Sequence, residues 1–166
     1  METKTATKKR TGVENAVVIK RIFDIPVSKV WRALTNADDF KKWWGPEDYT
    51  CPYSKIEPRV GGTYFNCMRS PEGKDNWSIG TVKKLVLEKT LIITDSFSDE
   101  KGNIISGSDY GLPGNWPNET LIHLELEEAD GATKLKLVHE GIPPEAQDDC
   151  KSGWNQCFDK LERNIN

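Results

Sequence analysis

PPEAQDDCKSGWNQCFDKLERNIN, residues 143–166, is the stretch that decides the arrangement of everything before it. Ala146, Cys150, Gly153, Trp154, Cys157, Phe158, Leu161 and Ile165 recur at three- and four-residue steps, which puts them on one stripe of an α-helix. Gln147, Asp148, Lys151, Asn155, Asp159, Lys160, Glu162 and Arg163 fall on the other face. Two prolines open the stretch, where first-turn N–H groups lack partners anyway. Glu145, Asp148 and Asp149 sit near the positive end of the helix dipole and Arg163 near the negative end. At 1.5 Å per residue the helix would span roughly 30–35 Å, about the width of a small domain. Burying Trp154, Phe158, Leu161 and Ile165 is worth roughly 1.5–3 kcal/mol each before ordering costs. The stripe therefore needs a large apolar surface to lie on.

Working outward, the preceding residues offer that surface as strands. Residues 133–140 alternate, with Leu135, Leu137 and His139 on one face, and 120–128 alternate with Ile122, Leu124 and Leu126. Asp130-Gly131 is the turn between them. Further back, 99–117 is a long Gly-, Asn- and Ser-rich loop that carries Tyr110, Leu112 and Trp116. A loop this long in a compact domain often acts as a lid or binding loop. Strands are expected at 90–97, 77–87, 63–70 and 50–58, separated by Glu88-Lys89, Pro71-Glu72-Gly73 and the hairpin signal Gly61-Gly62. At the other end, Val17, Ile19, Phe23 and Ile25 share a face with Arg21 along a first strand that Pro26 ends. Ser28 can cap a short helix with Val30, Trp31 and Leu34 inside, and a second helical turn near 38–43 runs into Trp43-Trp44-Gly45-Pro46. The order is a strand, two short helices, about six strands on largely hairpin-like connections, and one long helix. Local connections imply an antiparallel sheet.

Composition narrows the function classes. The 166 residues suit one domain over 15–166, preceded by a polar tail at 1–14 that reads as disordered. With 23 basic and 26 acidic residues the net charge is only −3, which points to neither nucleic acid nor an anionic membrane. No apolar run approaches the ~20 residues of a membrane span, and the Lys- and Thr-rich start does not read as a secretory signal. Cys51, Cys67, Cys150 and Cys157 show no CxxC spacing, and the last two would lie roughly 10 Å apart on the helix, too far to bridge. Free thiols in a reducing, cytoplasmic setting are expected. The two histidines and the scattered cysteines suggest no metal site and no cofactor.

Several separate motifs agree in order with a known family. Arg21-Ile-Phe-Asp-Ile-Pro26, Val30-Trp31-Arg-Ala-Leu34 and Trp43-Trp44-Gly45-Pro46 resemble the opening of the family named for the activator of Hsp90 ATPase, the AHSA1-like group of the START/Bet v 1 (SRPBCC) superfamily. Gly61-Gly62-Thr63-Tyr64, Met68-Arg69 and Pro71-Glu72-Gly73 fit its second hairpin; Gly153-Trp154, Phe158-Asp159 and Leu161 fit its final helix. The resemblance implies an α+β helix-grip fold: a curved antiparallel sheet of about six strands around a long C-terminal helix, with two short helices after the first strand and a cavity between sheet and helix.

A ligand in that cavity would meet Trp44, Tyr64, Trp77, Trp154 and Phe158 as contact area and Asn66 and His139 as polar anchors. Tyr64 and Asn66 face inward by the resemblance; the opposite register would bury Phe65 instead. His139 reads either as a satisfied strand-end histidine or as a ligand contact. Trp116, like Trp44, sits in an irregular segment where an aromatic can rim a pocket. Mid-helix Gly153 marks either close helix–sheet contact or room for a ligand beside Trp154. Asp24, Asp95 and Glu140 could face the cavity, although a lone strand-end carboxylate is usually solvated. The expected function is binding of a hydrophobic small molecule. One alternative is a co-factor that stimulates an Hsp90-like chaperone; another is a cyclase or hydrolase using His139 as its acid–base group. No catalytic motif favours the enzyme, and either a monomer or a homodimer fits the composition.

Overall fold

Alternation in the sequence becomes one open antiparallel sheet in the computed structural model, which describes residues 15–165. Its strands are β1 (Ala16–Phe23), β2 (Thr50–Ile56), β3 (Thr63–Arg69), β4 (Asp75–Val86), β5 (Thr90–Ser98), β6 (Thr120–Ala129) and β7 (Ala132–Glu140). They lie in the order β1-β7-β6-β5-β4-β3-β2. Two short helices, α1 (Val27–Thr35) and α2 (Ala37–Phe40), follow β1, and the long helix α3 (Gln147–Asn164) closes the chain after a 3₁₀ turn at Pro144–Ala146. The expected α+β helix-grip arrangement is present. The sheet has seven strands, the first strand and the six expected after the short helices. β2 carries Pro52 and a register shift between Thr50 and Tyr53, yet it pairs along β3. A sheet edge tolerates both irregularities.

The register decides which side chains face α3. Leu91 stands opposite Leu124 and Ile93 opposite Ile122, while Leu124 in turn faces Leu137 and Leu126 faces Leu135. These are buried, and they form one core with Trp154, Phe158 and Leu161 of α3. Phe158 meets the Phe23 ring edge-on at 5.8 Å and stacks near Trp43 at 6.1 Å. Arg21 also faces inward, as its place beside Phe23 predicts. Its guanidinium reaches the Asn155 carbonyl at 3.2 Å, Asp159 at 2.9 Å and Glu162 at 3.0 Å, tying β1 to α3.

Lys160 departs from expectation. It belongs to the polar face by spacing, but only 7% of it is exposed, and its ammonium donates to the carbonyls of Gly45, Pro46 and Tyr49 at 2.9–3.2 Å. Three carbonyl oxygens replace the lost water, so the charge is paired with dipoles rather than stranded; burial still pushes its pKa down. Gln156 accepts from the Glu47 N–H, Arg163 pairs with Glu47, and Asn164 donates to the Lys42 carbonyl. The segment after α2 is thus latched to the last half of α3. Gly153 is not a close-contact glycine: a Cβ there would meet only Pro46, at 4.0 Å.

Candidate functional site

The latch holds a group of aromatic rings over the centre of the sheet. Trp43 donates its indole N–H to the Ala33 carbonyl at 2.8 Å, and Phe40 stacks on Trp44 with centroids 4.9 Å apart. Trp154 of α3 meets Trp44 edge-on at 5.3 Å. From below, Tyr64 on β3 reaches up and donates its hydroxyl to the Leu34 carbonyl at 2.7 Å. Burial pushes the Tyr64 phenol pKa up, so it stays protonated and keeps that bond. β3 therefore has Tyr64 and Asn66 inside, both nearly fully buried, with Phe65 on the opposite face.

Between these rings and the sheet lies a hollow of about 30 Å³, walled by Phe40, Trp43, Trp44, Tyr64, Leu91, Ile93, Ile122, Leu124 and Trp154. Its polar lining is Asn66, Ser78, Thr94 and Asp95. The space exceeds the roughly 10–15 Å³ that one water needs but falls far short of the ~300 Å³ of a drug-sized site. Five aromatic rings fill most of the room the helix-grip arrangement leaves.

His139 lies behind Trp154, and its hydrogen bonds assign its tautomer. Indole N–H can only donate, so the 3.1 Å contact from Trp154 Nε1 makes His139 Nδ1 the acceptor. Nε2 then carries the hydrogen and donates to Thr120 Oγ1 at 2.8 Å; Thr120 in turn donates to the Asp95 carbonyl at 3.0 Å. Burial pushes the imidazole pKa down to about 3. His139 is a neutral ring with both nitrogens engaged, fixing the Trp154 indole against β6 and β7. Cys150 Sγ lies 3.7 Å from the same Nδ1; burial raises that thiol to about 12, so it stays protonated.

Asp95 is the opposite case. It follows Leu91 and Ile93 on the inward face of β5 and pairs with Thr120 in the register. Its Oδ2 is 4.0 Å from His139 Nε2, too far for a hydrogen bond, and that N–H is already given to Thr120. No donor among the described residues bonds its carboxyl. The side chain keeps 29% of its surface open, and it lines both the hollow and a second one of about 10 Å³ shared with Phe97, Trp116 and Pro117. Removal from bulk water raises its pKa to about 7. A second polar group is also unsatisfied: the buried Trp44 indole N–H has no acceptor among the described residues.

The loop after β5 closes the far side. Tyr110 stacks on Phe97 at 4.8 Å, and its hydroxyl accepts from the Trp77 N–H at 2.8 Å; Trp116 meets Phe97 edge-on at 5.0 Å. Its aromatics pack on the end of β5, as a covering loop requires.

Of the residues expected to meet a ligand, Trp44, Tyr64, Asn66 and Trp154 line the hollow together. His139 stands one layer back and touches it through Trp154. Phe158 is fully buried in the core and does not line it. Trp77 is on the wrong face: it pairs with Cys67 and stacks on Phe65 at 5.0 Å and near Tyr53 at 5.6 Å, on the outside of the sheet. Side chains alternate, so Ser78, opposite Asn66, takes the inward place. Asp95, which the sequence allows either to face the cavity or to be solvated at its strand end, lies inside, two residues on from Ile93.

Solved structures share this architecture. A protein from Chromobacterium violaceum is 26% identical, with a TM-score of 0.75 over 90% of this chain and 96% of its own. One from Mycobacterium smegmatis, 18% identical, has a TM-score of 0.75 over 92% of this chain and 91% of its own. The AHSA1 protein of Silicibacter pomeroyi, 20% identical, has a TM-score of 0.72 over 89% of this chain and 95% of its own. No curated protein matches the chain. Residues 24–166 match the family described as activator of Hsp90 ATPase homolog 1-like protein. With that match spanning all but the first strand and the residues before it, the chain belongs to the activator of Hsp90 ATPase homolog 1-like family.

Proposed function

We propose that this protein binds a small, mostly apolar molecule between the sheet and α3. The observation that carries the reading is a small hollow walled by aromatic rings, with its polar lining of Asn66, Ser78, Thr94 and Asp95 on the sheet strands. Trp44, Tyr64 and Trp154 supply contact area, Asn66 supplies polar anchoring, and His139 holds the Trp154 ring in place. Because the resting hollow is about 30 Å³, a larger ligand must displace a ring or the loop over Asp95, selecting an open state. Three of the six tryptophans, Trp43, Trp44 and Trp154, border the space, so their fluorescence reports occupancy. A panel of lipids, aromatic polyketides and hydrophobic metabolites should give a saturable change for at least one class; no saturable change from any of them would remove the reading.

A second reading, binding to an Hsp90-like chaperone and stimulation of its ATPase, is favoured by the family match alone. Pull-down and ATPase assays with the host's own chaperone test it, and absence of both binding and stimulation ends it. Nothing in the geometry favours His139 as an acid–base catalyst, because both its nitrogens are spent on Trp154 and Thr120. No helix among the described residues is long and apolar enough to cross a membrane.

A further inference from the structure

We infer that the hollow selects a compact organic cation, a protonated alkylamine, held by the Asp95 carboxylate among the surrounding aromatic rings. The inference rests on the small-molecule reading above and names the ligand chemistry within it. Three features point the same way. The walls include Phe40, Trp43, Trp44, Tyr64 and Trp154, and aromatic rings attract cations through their quadrupoles, more strongly once water is excluded. Asp95 is the one acidic side chain in the lining, and no Lys or Arg among the described residues lines the space to neutralise it. Its carboxyl receives no hydrogen bond, so an ammonium N–H donor would find both oxygens open. An uncompensated buried carboxylate is costly, whereas one paired with a hydrogen-bonded cation is not.

The groups facing Asp95 allow no internal substitute for that cation. His139 on β7 is neutral and bonded elsewhere, Cys150 on α3 is a protonated thiol, and Tyr64 on β3 donates to Leu34. Binding is accordingly linked to one proton. The carboxylic acid of the empty site loses its hydrogen to solvent as the ammonium arrives, leaving a carboxylate–ammonium pair. Burial already brings this carboxyl to about 7, so the ionised fraction rises about tenfold between pH 6 and pH 8, and apparent affinity for a cation rises with it.

The test is a fluorescence titration of the full chain with methyl- to butylammonium chloride against the matching alcohols, at pH 6 and pH 8, with parent and Asp95→Asn proteins. Expected is saturable binding of at least one ammonium, about tenfold tighter at pH 8, and lost in Asp95→Asn while that variant keeps its circular dichroism spectrum. Alcohols binding as well as ammonium ions, or Asp95→Asn binding them unchanged, would overturn the cation inference and leave the small-molecule reading standing. If neither ammonium ions nor alcohols bind, and the broader panel is also silent, both are lost.

Discussion

His139 and Asp95 lie 4.0 Å apart on the inner face of one sheet, and they show what a finished polar site and an unfinished one look like. His139 accepts from Trp154, donates to Thr120 and is left with nothing to offer. Asp95 lends its backbone carbonyl to that same chain of bonds but keeps its carboxyl out of it. A buried polar group with every bond made specifies structure; one without them costs stability unless something else completes it. The histidine is therefore the architectural member of the pair and the aspartate the one open to a ligand.

Mutations should separate the two regions by size and by sign. The largest effect belongs to the packed side: Phe158→Ala removes a fully buried ring between Phe23 and Trp43 and should cost about 3–5 kcal/mol in chemical denaturation. His139→Ala comes next. It leaves the Trp154 indole N–H buried without an acceptor, about 1–3 kcal/mol for that group. Refolding data showing no loss would mean that water replaces the imidazole.

Asp95→Asn should act in the other direction, and with pH. The carboxyl titrates at about 7 in the folded protein against 3.8 ordinarily, so the folded state holds a proton that the unfolded chain gives up in that window. The parent therefore loses stability as pH rises from about 4 to about 7. His139, lowered to about 3 from 6.5, has the opposite slope: its contribution is present above 6.5 and fades as pH falls toward 3. Between about 4 and 6.5 the two slopes oppose in the parent. In Asp95→Asn only the histidine slope remains, so the variant should gain on the parent from pH 4 to pH 8. A constant difference between them across that range would show a carboxyl bathed in water. The smallest effect is at Gly153→Ala. With only Pro46 near the new methyl, helix propensity should dominate and raise stability by about 1 kcal/mol; a loss there would mean that the backbone needs the missing Cβ.

The same contrast marks what could be read from the chain. The helix stripe, the strand alternation and the inward place of His139 follow from spacing, because apolar neighbours at every second residue leave one register that buries them; the inward places of Tyr64 and Asn66 follow only from the family resemblance, since alternation alone allows Phe65 inside instead. Trp77 was misplaced because its face depends on how β3 and β4 pair. That pairing is set by the turn at 70–74, which brings Arg69 opposite Asp75; counting outward from the turn puts Ser78, not Trp77, beside Asn66. Lys160 was assigned to solvent because a lysine on a polar helix face gives no sign that three carbonyls of a distant turn converge on it. The isolation of Asp95 was illegible for a similar reason. It depends on Thr120 and His139 satisfying each other across two further strands, which no local pattern records. The size of the hollow depends on how five rings pack, and that too is settled only in three dimensions.

The most direct measurement is a carbon-13 NMR titration of the Asp95 carboxyl in the ligand-free protein. A midpoint near pH 7 is predicted for an acid standing alone within an aromatic enclosure. A midpoint near 4 would place that carboxyl in contact with bulk water and contradict the closed, unpaired site on which the account rests.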